Sequence, residues 1–383
     1  MSYDVDALRR DEFPWAAAGE TIYLNNASTG PLPQRTVAVL DEWNRLRANP
    51  QRVPQELQFG TLARSRELIA SMIGADTSEI ALAANTTFGL NLAAFSLPLK
   101  KGDVVLSPDL EFPANVYPWM QLAARRGVEF RQLKCAEGVL DPDRLAKELE
   151  DERVRIVTVS WVGFASGARV DLEALGSLCR ARDVFFVVDA IQGLGPLTVD
   201  LRRAPVDIFS SGAQKWLLSP WGSAFVYVRR DLIPRLEPHD VSWMAVRDSD
   251  DFSRLTDYDL SWRDDARRFE FITLPYQDFG GMNASLELLH ELGTREVSAH
   301  ALRLADQIVE WACSRDDVEL VTPAAASRRG AVISVRPRDA RAASARLSAA
   351  RIAHSLREGA IRLSPHCYNT ADEIDRALQV IAP

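Results

Sequence analysis

Lys215 stands in Ser210-Ser211-Gly212-Ala213-Gln214-Lys215-Trp216, among small and apolar residues where an unpaired ammonium is costly. Upstream, Asp189 closes the apolar run Val184-Phe185-Phe186-Val187-Val188, and Gln192 follows three residues later. An amine in a Ser/Gly turn and a carboxylate at the end of a buried strand are the two groups that a pyridine-aldehyde cofactor requires. The lysine condenses with the aldehyde as an imine, and the carboxylate keeps the ring nitrogen protonated so that the ring accepts electrons. In this order the two residues read as an enzyme that uses pyridoxal phosphate. Each also has a plainer reading: Lys215 as a surface lysine, Asp189 as a helix cap behind a strand.

A phosphate needs a helix N-terminus with small donors. Asn85-Thr86-Thr87-Phe88-Gly89-Leu90-Asn91 follows an apolar strand and opens a helix, so Thr86 and Thr87 are candidate phosphate donors. Either could instead be a simple N-cap. Phe112 offers a flat face for a pyridine ring, although a core position is the usual fate of one of 15 phenylalanines. Arg362, in Ile361-Arg362-Leu363-Ser364-Pro365-His366, suits a two-pronged grip on an α-carboxylate, with Arg357 a weaker second candidate; a surface ion pair is the plainer alternative. His366 and Cys367 lie near Arg362 in sequence, and their direction stays open.

These residues need a scaffold. Helical stretches alternate with short apolar runs from about 60 to 240, with strands expected at Ile80–Leu82, Val104–Ser107, Glu129–Leu133, Ile156–Ser160, Phe185–Asp189, Ile208–Ser210 and Ala224–Val228. Wholly apolar strands separated by helices predict a mostly parallel sheet of seven strands, with ligands beyond the carboxyl ends. A helix over 61–73 should end at Gly74. Beyond 275, a helical stretch over 282–314 broken near Gly293, strands at Gly330–Val335 and Ile361–Ser364, and helices over 338–350 and 370–381 predict a small α+β unit. The expected division is an arm (1–20), a large domain (21–275) and a small C-terminal domain (276–383). The charged stretch 244–270 is expected to be mobile or to contact another subunit.

Composition sets outer limits. The chain has 383 residues, 47% of them apolar, with 45 basic and 53 acidic side chains and a net charge of −8. An acidic balance argues against nucleic acid or anionic membrane as partner. No apolar run approaches the ~18 residues of a membrane span, and the acidic N-terminal stretch has no signal-peptide core. A cytoplasmic enzyme is expected. Four scattered cysteines and five histidines, all beyond residue 238, suggest neither disulfides nor a metal site.

With these motifs placed, the chain resembles the class V aminotransferase family of fold-type I pyridoxal-phosphate enzymes, which includes cysteine desulfurases and isopenicillin N epimerase-like proteins. The resemblance runs through Tyr23–Pro33, Asn85–Asn91, Asp189-Ala190-Ile191-Gln192-Gly193, Ser210–Trp216, a degenerate Phe269-Glu270-Phe271-Ile272-Thr273, and Ile361–Thr370. It implies a homodimer with composite sites. Lys215 would carry the cofactor and move the substrate Cα proton, Asp189 would pair with the pyridine nitrogen, Gln192 would reach the ring hydroxyl, and Phe112 would stack where many relatives have histidine. Thr86, Thr87, Ser211 and the neighbouring subunit's Thr273 would hold the phosphate, joined by Gln214 at another position where many relatives have histidine. Asn26, Arg362 and Arg357 would face a small amino-acid substrate. Trp161 and Gly163 replace polar residues common in relatives, which alters the ring-hydroxyl contact or part of the substrate pocket.

The leading expectation from the resemblance is an aminotransferase acting on an α-amino acid. The alternatives are a cysteine or cystine C–S lyase working by β-elimination, or an amino-acid epimerase. A standard cysteine desulfurase is not expected: relatives of that kind carry a persulfide cysteine on a loop that here would fall between Cys313 and Cys367, and no cysteine lies there. Lys215, Asp189 and Arg362 together argue against a protein that only binds.

Overall fold

The computed structural model describes residues 3–135 and 138–382. Met1, Ser2 and Pro383, the ends of the expected arm and small domain, lie outside them, as do Ala136 and Glu137. Strand β1 (Ile22–Tyr23) opens the chain's sheet structure. It is followed by β2 (Ile80–Ala83), β3 (Val104–Pro108), β4 (Glu129–Leu133), β5 (Val154–Ser160), β6 (Phe185–Asp189), β7 (Ile208–Gly212) and β8 (Ala224–Val228). The last seven form one sheet in the order β2-β8-β7-β6-β5-β3-β4. All neighbours are parallel except β8, which runs antiparallel to β2 and β7. The expected strands are all present, some longer by one or two residues.

The sheet is buried because its strands are apolar on both sides. Every residue of β3, β7 and β8 is buried. Alternation then divides each strand between two cores: Phe209 packs with Leu82, Leu106 and Phe186 on one face, and Ile208 with Val105, Ile156 and Val187 on the other. Polar β4 (Glu-Phe-Arg-Gln-Leu) takes an edge, where charged side chains reach water.

The C-terminal part carries β9 (Val318–Leu320), β10 (Ile333–Pro337), β11 (Ile352–Ala353), β12 (Ser355–Arg357) and β13 (Ala360–Leu363). Four of these form an antiparallel sheet, β12-β13-β10-β9. β11 instead pairs parallel with β1, Ile22 opposite Ile352, and Asn25 bridges Ser364. The N-terminal segment is thereby tied to the C-terminal signature.

Differences from the sequence reading have local causes. β10 starts at Ile333 rather than Gly330, because the Gly330 amide is taken by the Gly167 carbonyl at 3.0 Å. The helix expected over 61–73 begins at Gln55 and ends at Gly74, whose φ of 68° is the left-handed C-cap geometry glycine adopts freely. Helix Gln34–Arg47 was not foreseen; it buries only Thr36 and Trp43, so its apolar stripe is faint. The long stretch after 275 is two helices, Tyr276–Leu292 and Thr294–Cys313, meeting at Gly293. The final helix, Ala371–Ile381, starts at Thr370 with a complete capping box. Among the described residues no helix is long and apolar enough to cross a membrane.

Helix Thr86–Ser96 reaches the sheet through Gly89, where a Cβ would stand 2.4 Å from Ser210 Oγ and 2.7 Å from Val226 Cγ2. Gly89→Val should therefore lift this helix from β7 and β8 and lower stability by about 1–3 kcal/mol. Urea unfolding would show a lower midpoint at unchanged slope; an unaltered midpoint would refute the close approach.

Candidate active site

Asp189 ends β6 and is 3% exposed. Its Oδ1 accepts the Ile191 amide at 3.0 Å. Burial pushes its pKa up to about 6, against the opposing pull of that amide and of Lys215. Lys215 follows the end of β7 by three residues. Burial lowers its pKa to about 8; Asp189 opposes the shift, while Arg362 and Arg357 add to it. Lys215 Nζ stands 5.8 Å from the centre of the Phe112 ring. Phe112 is 44% exposed, so it is not a core phenylalanine, and its ring meets that of Phe164 edge-on at 5.3 Å.

Near the same strand ends, a helix N-terminus meets the end of β7. Asn85 caps helix Thr86–Ser96 by accepting the Phe88 amide at 3.0 Å, so neither threonine is the cap. Thr86 Oγ1 accepts the Gly212 amide at 2.8 Å and still has its own hydrogen to donate. Thr87 is exposed at the same helix start. A Cβ on Gly212 would stand 2.4 Å from Gln214 Oε1 and 3.2 Å from Thr86 Oγ1. Glycine at 212 thus leaves a concave patch bordered by Thr86 and Gln214 at a helix N-terminus, which suits a phosphate. Ser211 belongs elsewhere. Alternation along β7 turns Ser210 and Gly212 toward Thr86 and turns Ser211 to the opposite face, where its hydroxyl donates to the Gly212 carbonyl. The expected Ser211–phosphate contact is corrected on that ground.

Gln192 is buried and pinned at both ends: Nε2 donates to the Ala27 carbonyl and Oε1 accepts from Trp216 Nε1, each at 2.9 Å. Its second Nε2 hydrogen is left for another acceptor. Asn26 is fully buried, donating to the Ser364 carbonyl at 2.7 Å and accepting from the Tyr368 hydroxyl at 2.9 Å. It holds the fold together here rather than facing a substrate. His366 is also fully buried, stacked between Trp216 and Tyr368. Its Nδ1 lies against the Cys367 amide and its Nε2 against the Trp216 carbonyl at 2.9 Å, so the ring is neutral with its proton on Nε2; burial lowers its pKa to about 4. Cys367 is fully buried. Thr273 is exposed. Its segment is anchored by Glu270, which pairs with Arg66 and accepts the Leu82 amide of β2.

Arg362 is 3% exposed, yet among the described residues no carboxylate meets it. It donates to the Phe164 carbonyl (2.7 Å), Ser28 Oγ (2.8 Å) and Ser355 Oγ (3.4 Å), while its buried Nε has no partner. Burial first, then Arg357, lowers its pKa to about 10. A buried cation held only by neutral oxygens is poised for an anion. Ser28 falls inside the Tyr23–Pro33 stretch of the resemblance, and Phe164 follows Gly163 directly.

Glu111 was missed altogether. It accepts the Ser160 amide at 2.6 Å, the Ser160 hydroxyl, and Asn115 Nδ2 at 3.0 Å. Burial raises its pKa to about 7, and nearby Asp189 adds to the rise. Ser160 lies directly opposite Asp189 across β5 and β6. Glu111 therefore ties the Phe112 segment to the strand beside Asp189. Its place one residue before Phe112 was the available signal.

The class V aminotransferase model matches residues 22–377. The chain belongs to that family. It is 32% identical over 304 residues to a probable cysteine desulfurase of Methanothermobacter thermautotrophicus, covering 78% of this chain and 74% of the relative. Among solved structures it superposes on the apo cysteine desulfurase of Thermococcus onnurineus NA1 with a TM-score of 0.87 at 23% identity, covering 100% of this chain and 98% of that one. It also matches a cystine C–S lyase solved with its product cysteine persulfide, at a TM-score of 0.86 and 22% identity, covering 97% and 99% of the two chains. The fold is that of fold-type I enzymes, and the family depends on pyridoxal phosphate. The residues fit that group: a concave helix N-terminus for the phosphate, Phe112 for the ring face, Asp189 for the ring nitrogen, and a half-buried lysine.

Asp189 has a folded pKa near 6, above the ~3.9 of an unfolded chain. Between those values the folded state keeps a proton that the unfolded state has lost, so stability falls as pH rises through this window and the penalty is complete above it. Asp189→Asn should thus stabilise the cofactor-free protein by about 2 kcal/mol at pH 7.5, with the gain fading as pH falls from 6 toward 4. Urea titrations across that range test this; a gain independent of pH would rule out charge burial as its cause.

Proposed function

We propose that this enzyme breaks the C–S bond of a cysteine-derived amino acid by β-elimination, and that it works as a homodimer. The carrying observation is half-buried Lys215 with buried Asp189 and Arg362, in a chain similar to sulfur-amino-acid enzymes, with no cysteine between Cys313 and Cys367. The remaining cysteines do not replace a persulfide carrier. Cys179 and Cys367 are sealed in the interior, burial raises the Cys135 pKa to about 11, and Cys313 ends a helix far along the chain from the signature motifs. The sulfur would leave as a small molecule.

Bound pyridoxal phosphate supplies an electron sink for charge developing at the substrate Cα. The chain supplies the rest. Thr86, Thr87 and Gln214 hold the phosphate. Asp189 would hold the ring nitrogen, Gln192 would donate to the ring hydroxyl, and Phe112 would stack on the ring. Arg362 grips the substrate α-carboxylate. Lys215, with a pKa near 8, is substantially neutral at mildly alkaline pH and takes the Cα proton at Nζ. With cystine the balance is cystine plus water giving pyruvate, ammonia and thiocysteine.

The exposed side chains Trp221, Trp243, Tyr258, Leu260 and Phe271 support a second subunit as partner, since exposed apolar clusters mark contact surfaces. Thr273, exposed beside Phe271, would then reach the neighbour's phosphate, and the 244–270 stretch would be covered. Within that stretch arginine–aspartate pairs such as Arg247–Asp264 (2.6 Å) and Arg263–Asp250 (2.8 Å) hold the turns.

Transamination, the leading expectation from the sequence, shares every step through Cα proton removal, and the family's description favours it as the second reading. The relatives and structural neighbours favour sulfur chemistry. The holoenzyme incubated with cystine should release pyruvate, ammonia and thiocysteine in equal amounts, and Lys215→Ala should lose at least about 1,000-fold of that turnover. Alanine as the product from cysteine would mark a desulfurase instead. A keto acid formed only stoichiometrically with enzyme, until a second keto acid is added, would mark an aminotransferase.

A further inference from the structure

Arg357 is a cation with no assigned partner in this site. β12 and β13 pair with Ser355 opposite Arg362 and Arg357 opposite Ala360. Side chains alternate along a strand, so Ser355, Arg357 and Arg362 share one face of the small sheet. Arg357 and Arg362 are diagonal neighbours there, with Cβ atoms roughly 7–8 Å apart in this geometry. Arg362 is buried and Arg357 is exposed. Both are near enough to Lys215 to disfavour its ammonium.

The third arginine of this small sheet is matched with an acid. Arg336 on β10 pairs with Glu319 on β9 at 2.7 Å. Arg357 makes no ion pair among the described residues, not even with Glu358, its neighbour in the β12–β13 turn; its guanidinium reaches only the Leu356 carbonyl, at 3.5 Å. Around Arg362 the neutral oxygens are already oriented: Ser28 and Ser355 both donate to Asn25 Oδ1, at 2.9 and 2.6 Å, and so turn their lone pairs to the guanidinium.

The charges in the cleft then do not balance for a simple amino acid. Lys215 is spent on the cofactor, Asp189 is matched by the ring nitrogen, and Glu111 is tied to Ser160 and Asn115, which leaves Arg362 and Arg357 as the cations for a substrate. One α-carboxylate satisfies Arg362 and leaves Arg357 unmatched. We propose that the enzyme's substrate is an α-amino acid bearing a second oxyanion, held by Arg357 while Arg362 holds the α-carboxylate. This deepens the proposed function and rests on its placement of the α-carboxylate at Arg362. The second anion lies a few bonds beyond Cβ: a side-chain carboxylate, a sulfinate, or the distal carboxylate of a disulfide amino acid.

The experiment measures dissociation constants on the holoenzyme from ligand-induced changes in cofactor absorbance, for alanine, aspartate, cysteine sulfinate and cystine. Two-acid ligands should bind at least 10-fold more tightly than alanine, and which of the three binds best identifies the source of the second anion. That ratio should fall with added salt, because Arg357 is exposed. It should collapse toward one in Arg357→Gln and be kept in Arg357→Lys, each confirmed to hold the cofactor by its visible band. A wild-type ratio near one, or a ratio that survives Arg357→Gln, overturns the proposal. Aspartate contains no sulfur, so a preference for it without C–S cleavage of any ligand would sink the β-elimination reading and leave this one standing.

Discussion

Two opposite charges are withdrawn from water at the carboxyl ends of adjacent parallel strands, and the rest of the cleft is arranged around them. Asp189 and Lys215 each attract the other's charged form, but for both the desolvation is larger than the attraction. Left alone, such a pair is a defect in the core. With a ring nitrogen beside the carboxylate and a carbonyl beside the amine, both groups gain the partner that their burial denies them. The apolar strands around them provide the rigidity that makes this tolerable: β7 and β8 are buried along their whole length, and β6 except at Phe185.

Precision at the lysine comes from a lock between distant parts of the chain. The carbonyl of Trp216, next to Lys215, is held by His366, and its indole by Gln192. Gln192 in turn holds the Ala27 carbonyl, while Asn26 holds Tyr368 and Ser364. The N-terminal segment, the lysine turn and the C-terminal signature are thereby one unit. A neutral, fully buried histidine suits this task, because it donates and accepts without bringing a charge into the core. The conformation of the lysine turn therefore depends on residues 150 positions later in the chain, through contacts that no local propensity encodes.

On the substrate side the cleft is positively biased. Arg362 has lost its water and gained only neutral oxygens, and Arg357 lies on the same sheet face. Glu111 ties the Phe112 segment to the strand beside Asp189. In the proposed reading, cations would border the substrate and carboxylates the ring. That division suits an acidic substrate carried by an electron-accepting cofactor.

The apolar runs and their spacing determined much of this protein before any coordinates. Seven strands, the carboxylate at the end of Phe185–Asp189, the lysine in its Ser/Gly turn, the glycine caps and the Thr370 capping box were all legible, because each depends on neighbours within a few residues. Helix Gln34–Arg47 was not, since its burial is set by the helices it meets rather than by a stripe of its own. Nor could one sequence show that Ser211 turns from the phosphate cradle while Gly212 opens it, that Asn26 is spent on Tyr368 and Ser364, or that Glu111 braces Phe112. Those outcomes depend on which face of a strand meets which helix and on where each amide finds its hydrogen-bond partner. Only packing of the whole chain decides them, because a buried polar group must be satisfied by whatever the fold brings beside it.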